Sequence, residues 1–411
     1  MSEVALPRRV VMIGANYWPE ESGSAPYTTG LAEDLVAHGV DVTVLCAMPH
    51  YPGWRIREGY RGRLRAREIR AGVRLVRSWL WVPSRQSAFQ RAFFEGSFLS
   101  GALALGWRIR RPDVVIASTP SLSGAVAARC LARRWRVPYG LVVQDLVGPG
   151  AEQSGMRGGD RVAGVVSRVE RWALSGASRV AVVSAGFMPY LRESGVEADR
   201  VEHTPNWSHI PRSEADPVEV RRRFGLPEGV PVVLHAGAMG LKQGLEQVVD
   251  VARLDDERGA SLCFVFVGDG SQRKSLEEQA RGLGNVVFLP QQPADAYADL
   301  LVAADVLLIS ERPGMVNMSL PGKLTSYVSA GRPIVAMVSP GGATAAELER
   351  SGVGSVVPAG EPLALLDVVS TRPSGDTEPS EARRAYEGSL GRERCLERLR
   401  GLVAAAGRGG S

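Results

Sequence analysis

Residues 231–254 read PVVLHAGAMGLKQGLEQVVDVARL, and how they are read decides the fold. PVVLHA is β-branched and apolar, the pattern of a strand buried on both faces. LEQVVDVARL repeats Leu245, Val248, Val249 and Ala252 at helical spacing. Between the two lie Gly237, Gly240 and Gly244 with a single cation, Lys242. A strand therefore runs through a glycine turn into a helix. An anion held between helix N-terminal amides and an ammonium suits that turn. No Lys-Ser or Lys-Thr follows the glycines, so it is not a P-loop. A solvated lysine in a merely tight turn is the competing reading.

The same rhythm extends in both directions. The first half carries the apolar runs RVVMIGA, VDVTVLCA, VRLVRS, DVVIAST, YGLVVQ and RVAVVS. The second half carries PVVLHAG, LCFVFVG, NVVFLP, DVLLIS, PIVAMV and GSVVP. Runs this apolar, separated by helical patterns, predict parallel sheets covered on both faces. The expected class is α/β, with two Rossmann-like doubly wound domains. Ligands in such sheets bind beyond the carboxyl ends of the strands, here in a cleft that the two domains face. The polar stretch HIPRSEADP, residues 209–217, predicts the linker between them. The expected segments are 1–210, 211–380 and a last helical segment, 381–411.

Composition supports a globular chain: 411 residues, 45% apolar and 23% charged. A net charge of +5 favours anionic partners. No pattern points to nucleic acid. Cys46, Cys130, Cys263 and Cys395 lie far apart without a CxxC pair, which predicts buried thiols and no zinc. MSEVALPRR leads directly into a strand pattern, so a cytoplasmic protein is expected. Histidines 38, 50, 203, 209 and 235 show no ligand spacing and read mostly as turn or surface residues. GDGSQR and GPGAEQ lack the third glycine of a dinucleotide fingerprint, and GxSxG, HExxH and DxD are absent.

The loops after the apolar runs carry the candidate chemistry. GANYWPEESGSAPYTTG follows the first run, with Gly14, Asn16, Gly23 and Ser24. QDLVGPG places Gln144 and Asp145 at a strand's carboxyl end. ERPGMVNMSLPGKLTSY ends at a helix start, with Lys323 in its first turn. A cation there is disfavoured by the helix dipole unless an anion binds. Lys242 and Lys323 are therefore expected to converge on one diphosphate.

At these residues the chain resembles the GT-B glycosyltransferases of the GT4 type, in the group acting in colanic-acid and O-antigen assembly (fucosyl or fucosamine transferase-like). The resemblance runs nearly end to end, through NYWPEESGSAPYTTGLAEDLVAHGVDVTVLCAMPHYPGW, VQDL, HTPNWSHI, AGAMGLKQGLEQ, FVGDG, FLPQQP and LPGKLTSYVSAGRPIVA. It implies an acceptor-binding first domain, a nucleotide-sugar-binding second domain and a last helix crossing back to the first. It also implies transfer of a sugar, with retention, from a UDP- or GDP-type donor to a lipid-linked or small-molecule hydroxyl acceptor. Lys242 resembles the lysine that meets the donor diphosphate, with Gly237, Gly240 and Gly268 around it. Leu289 and Pro290 resemble the segment meeting the base, and Met318, Ser319 and Leu320 the turn that wraps the donor. Gly14, Asn16, Gly23 and Ser24 resemble the loop facing the reaction centre.

Three departures from the family pattern involve four positions. Ala238 stands for the usual arginine, Gln144 for a frequent histidine, and Met318 and Ser326 for a pair of glutamates. With no DxD, neither a metal nor another cofactor is expected, and the leaving group must be met by Lys242, Lys323 and helix amides. A soluble natural-product aglycone is the alternative acceptor. A non-catalytic nucleotide-sugar-binding subunit and a nucleotide-sugar epimerase are the alternative functions.

Residues 54–77 add nine arginines (55, 57, 61, 63, 65, 67, 70, 74 and 77) against Glu58 and Glu68. On the next helix Phe89, Phe93, Gly96 and Leu103 predict the packed face, while Phe94, Phe98 and Leu105 form a second stripe. Arginines beside a spare aromatic stripe suit an anionic membrane surface, and a peripheral position at the inner membrane face. Burial of that stripe against another element, with solvated arginines, is the equal alternative.

Overall fold

The computed structural model describes residues 5–83, 88–148, 159–315, 321–371 and 381–409. The chain forms two units. The first runs to Asn206 and takes up the chain again from Arg392; the second runs from Trp207 to Gly391.

The first unit holds β1 (Arg9–Ile13), β2 (Asp41–Ala47), β3 (Arg65–Arg70), β4 (Val73–Ser78), β5 (Val114–Ser118), β6 (Tyr139–Val143), β7 (Arg179–Val182) and β8 (Val201–His203). Their order is β3-β4-β2-β1-β5-β6-β7-β8. The second unit holds β9 (Val232–Ala236), β10 (Cys263–Val267), β11 (Val286–Leu289), β12 (Val306–Ser310), β13 (Ile334–Val338) and β14 (Gly354–Pro358), in the order β11-β10-β9-β12-β13-β14. All pairings among these strands are parallel except the hairpin of β3 and β4. The two-doubly-wound-sheet architecture expected from the sequence is therefore present, with one antiparallel edge.

Period-2 alternation explains why the second sheet is apolar throughout. Val232, Leu234, Ala236, Cys263, Val265 and Val267 feed one core. Val233, Phe264, Phe266, Leu308 and Val335 feed the core on the opposite face. Helices cover both sides, so both parities are largely apolar, with His235 and Ser310 as buried polar exceptions. The chain leaves β9 toward β10 and β11, then returns to β12 on the other side of β9. The gap between the carboxyl ends of β9 and β12 is a topological switch point, where crossover loops diverge and leave a crevice.

Three expectations need correcting. The last segment is two helices. Glu381–Ser389 stays with the second unit, where Tyr386 and Leu390 join its core and Tyr386 Oη donates to Glu347 at 2.8 Å. Arg392–Arg408 crosses back to the first unit, where Arg400 pairs with Asp34 at 2.7 Å. The break falls at Gly391 because the two halves bury their apolar residues in different cores.

The helix Ala88–Gly106 faces the other way round from the expectation. Phe94, Phe98 and Ala102 are buried, whereas Phe89 is 80% and Phe93 52% exposed. Glycines set this choice: a Cβ at Gly101 would sit 1.8 Å from Ser78 Oγ, and one at Gly106 2.5 Å from Leu131. Only a face without side chains at those points can lie so close to its neighbours.

The arginines do not act as one solvated cluster. Arg77 is fully buried; it pairs with Glu68 at 3.1 Å and donates to the carbonyls of Trp18 (2.5 Å) and Ala47 (3.3 Å). Arg70 pairs with Glu33 at 3.0 Å and lies over the Trp18 ring, and Arg74 pairs with Asp41. Arg55, Arg57, Arg61, Arg63, Arg65 and Arg67 are exposed.

Candidate active site

In the second unit, β9 ends at Ala236 and the backbone turns at Gly237 with φ +135°. Its N–H donates to Val267 O at 2.8 Å, and Met239 N–H donates to Asp269 O at 2.9 Å. The loops after β9 and β10 are thus sewn together. A Cβ on Gly268 would sit 2.0 Å from Gly237 O, so the second loop must be glycine at that point. Gly240 N–H donates to Gln243 Oε1 at 3.0 Å and starts a 3₁₀ turn, Leu241–Gln243, that carries Lys242 on the surface. The turn is tied to the segment after β12, because Arg312 N–H donates to Lys242 O at 2.9 Å. Gly244, at φ +51°, lets the backbone of Arg312 approach to within 2.8 Å of where a Cβ would be.

Lys323 opens the helix Lys323–Ala330 and lies partly buried over Gly237. Its Nζ is 3.1 Å from Nε2 and 3.4 Å from Nδ1 of His235. Burial holds the lysine down to about 7, against the opposing pull of Glu311. His235 is 1% exposed, and burial, with the lysine charge added, keeps it neutral well below its ordinary value. The expectation of a turn or surface histidine is overturned here, and for His50, which is 4% exposed. A strand-terminal histidine inside an apolar run carried that signal.

Glu311 was not anticipated. It follows β12, and its carboxylate accepts from Thr344 Oγ1 at 2.6 Å. Burial raises its pKa, while Thr344 and the charges of Lys323 and Lys242 lower it. The two lysines therefore share one carboxylate neighbour at the switch point. Gln247, 8% exposed, braces the group by donating to Ser310 Oγ (3.0 Å) and Glu311 O (2.9 Å).

The remaining donor-side candidates are less central. Leu289 O accepts from Gly268 N–H at 3.1 Å and from Arg273 at 3.2 Å, and the exposed Pro290 accepts from Gln292 at 2.9 Å. Ser326 is 5% exposed, and its hydroxyl donates to Lys323 O at 2.9 Å within the helix. Met318, Ser319 and Leu320 lie outside the described residues.

In the first unit, Gly14 closes β1 by donating to Leu45 O at 3.1 Å. Asn16 donates to Glu20 at 2.8 Å; Glu20, 6% exposed, also accepts from the N–H groups of His50 (2.7 Å) and Tyr51 (2.8 Å). Glu20, unseen in the sequence reading, joins the two loops. Gly23 has φ +66°, and a Cβ there would sit 3.3 Å from the Tyr51 ring. Ser24 caps the helix Ala25–Ala37 through its carbonyl, which accepts from Thr28 N–H at 3.0 Å, without a side-chain cap bond. Tyr51 titrates high because of burial and then the charges of Asp145 and Glu20, which puts the Asp145 carboxylate in its field. The loop bearing Asp145 is clamped from behind: Glu170 accepts from Val147 N–H (2.7 Å) and Gly148 N–H (2.8 Å). Gln144 exchanges two amide bonds with Asn206, at 2.6 and 3.1 Å, and so serves as a brace.

Known proteins share this layout. The model of a glycosyl transferase 4-like domain matches residues 22–207, and that of glycosyl transferases group 1 matches residues 230–371. A protein of Escherichia coli (strain K12), named as a colanic acid biosynthesis glycosyl transferase, WcaI, is 34% identical over 79% of this chain and 81% of its own. Among solved structures, sucrose-phosphate synthase from Thermosynechococcus elongatus shares the fold with a TM-score of 0.71, at 16% identity, over 95% of this chain and 97% of that one. Anabaena Alr3699/HepE in complex with UDP does so with a TM-score of 0.68, at 16% identity, over 95% and 98%. No helix among the described residues is long and apolar enough to cross a membrane.

Proposed function

The chain belongs to the GT4-like glycosyltransferases of the GT-B fold, and from that premise we propose that it moves a sugar from a nucleoside diphosphate to a hydroxyl acceptor with retention. The observation that carries this reading is the switch point of the second sheet, where Lys242 and Lys323 act on one carboxylate beside two glycines that keep the backbone bare. A diphosphate needs concentrated positive charge, and the two lysines of this crevice offer it. The UDP bound by Alr3699/HepE, a protein of the same fold, supports a uridine-type donor. The similarity to WcaI, named for colanic acid biosynthesis, supports a role in polysaccharide assembly; the lipid-linked acceptor is part of our proposal.

In the proposed reaction the bond from the anomeric carbon to the diphosphate oxygen breaks as the acceptor oxygen attacks the same face. The acceptor proton passes to the departing phosphate oxygen. Lys242 and Lys323 meet the charge that develops on the leaving group, so no divalent metal is required. Asp145 orients the acceptor hydroxyl or faces the developing positive charge on the sugar. Glu311, which feels the charges of both lysines at the end of β12, is our candidate to meet donor hydroxyls in place of the glutamates absent at 318 and 326.

The test is donor turnover by the purified protein against UDP- and GDP-sugars. Lys242→Ala should lower turnover about a hundredfold, the scale of one lost leaving-group contact, with unchanged folding. Activity should survive EDTA. Wild-type turnover in Lys242→Ala, or an EDTA loss restored by Mn²⁺, contradicts the two-lysine site.

A further inference from the structure

The first unit holds an open pocket of about 370 Å³ lined in part by Trp54, Arg55, Arg61, Trp79, Trp81 and Val82. Three of the chain's eight tryptophans meet there. Trp54 stands at φ +47°, a left-handed conformation that costs a bulky residue about 1–3 kcal/mol and persists only where its surroundings hold it. Those surroundings are aromatic: Phe94 lies 5.7 Å and Tyr51 6.2 Å away, centroid to centroid. Trp81 packs edge-on against the exposed Phe93 at 5.2 Å. Neighbouring rings thus hold Trp54 and Trp81 in place before any ligand arrives.

Arg55 and Arg61 are exposed on the same pocket, and neither joins an ion pair among the described residues. Arg61 spends only its Nε, on Ile56 O at 3.3 Å. This contrasts with Arg70, Arg74 and Arg77, each of which has a carboxylate partner. Guanidinium forks without carboxylates match phosphate oxygens. Indole faces match an apolar chain or the C–H face of a sugar. Neither half alone explains the pocket: inorganic phosphate has no use for indoles, and a neutral hydrocarbon has none for two cations.

We propose that this pocket binds the phosphate end of an amphipathic acceptor, an organic diphosphate whose phosphates meet Arg55 and Arg61 and whose first apolar carbons lie against Trp54, Trp79 and Trp81. The assignment rests on the lipid-linked acceptor read above and gives that acceptor a place. A volume of about 370 Å³ suits a diphosphate and a short length of chain, within the usual range for small-ligand pockets.

The experiment is a tryptophan-fluorescence titration with geranyl diphosphate, inorganic diphosphate and geraniol. It is run on the Lys242→Ala protein, so that the donor crevice contributes little. Geranyl diphosphate should quench saturably and bind at least about tenfold tighter than either fragment. Arg55→Gln with Arg61→Gln should weaken it about tenfold or more at an unchanged unfolding temperature, since both side chains are exposed. Trp81→Phe should reduce the quench while folding is retained. Equal binding by geraniol, or full affinity in the double arginine variant, overturns the proposal. UDP thermal shifts on the wild-type protein separate the two readings: UDP stabilisation without geranyl diphosphate binding removes the pocket assignment and leaves the transferase standing. Quenching by anionic phospholipid vesicles but not by soluble geranyl diphosphate would assign the arginines to a bilayer surface instead, and would also overturn it.

Discussion

Lys323 is a cation at a helix N-terminus, where the dipole opposes charge, and burial has pushed it down to about 7 against the pull of Glu311. A bound diphosphate would restore its proton. Below about 7 the ammonium is already present; as pH rises through that value the free protein loses it, and binding must then supply the proton. Affinity for UDP should therefore be flat in mildly acidic buffer and weaken by up to about tenfold per pH unit above 7, read by calorimetry. A profile level from about pH 6 to 9 would remove Lys323 from the site. Glycines divide as sharply. Gly268→Ala forces a Cβ to within 2.0 Å of Gly237 O at φ +135°, so a loss of roughly 3 kcal/mol or more is expected in urea unfolding. Gly164→Ala, in the exposed middle of the helix Gly159–Ser175 with nothing within 4 Å, should instead stabilise by about 0.5–1 kcal/mol.

At the level of the element, the β3–β4 hairpin shows how one arginine-rich segment serves two purposes. Arg65, Arg67 and Ile69 alternate outward on β3, an edge strand, where charges block pairing with another chain. Arg77 points into the sheet's core from β4 and holds Glu68 and the carbonyls of Trp18 and Ala47. Arg77→Met would take the guanidinium from that carboxylate, which keeps Tyr60 Oη at 3.2 Å, and from both carbonyls. A destabilisation of about 3–5 kcal/mol is expected, whereas Arg65→Gln should change stability by less than about 0.5 kcal/mol. Urea midpoints for the two variants decide this, and equal midpoints would refute the division.

For the molecule as a whole, charge and apolar exposure meet on the first unit. Arg63, Arg65 and Arg67 are exposed beside Leu64 (77%) and Ile69 (76%). We propose that this edge attracts an anionic bilayer, each basic residue near the surface contributing about 1 kcal/mol. Flotation with phosphatidylglycerol vesicles should show binding that salt weakens and that Arg→Glu changes at 63, 65 and 67 abolish. These changes leave Arg55 and Arg61 untouched. A wild-type protein that stays unbound at low salt would refute the membrane surface and favour a soluble acceptor.

Each of the twelve apolar runs read from the sequence lies on a strand, because a strand covered on both faces is apolar at most positions. The β3 strand RAREIR and the β8 strand VEH went unread, since an edge strand needs no such run. Local sequence also marked Lys242, Lys323, Asp145 and the glycine turns, each at a strand or helix end where backbone groups are left unpaired. It did not reveal Glu311, Glu20 or the burial of His235. Each has a partner between 30 and 88 residues away, which only the closing of a sheet brings to it. The inward face of the helix Ala88–Gly106 was likewise undetermined by two similar stripes, until Gly101 met Ser78. Periodicity and turn chemistry are local and were written in the chain. Which charges share a field, and which of two apolar faces is covered, are long-range matters that tertiary packing alone decided.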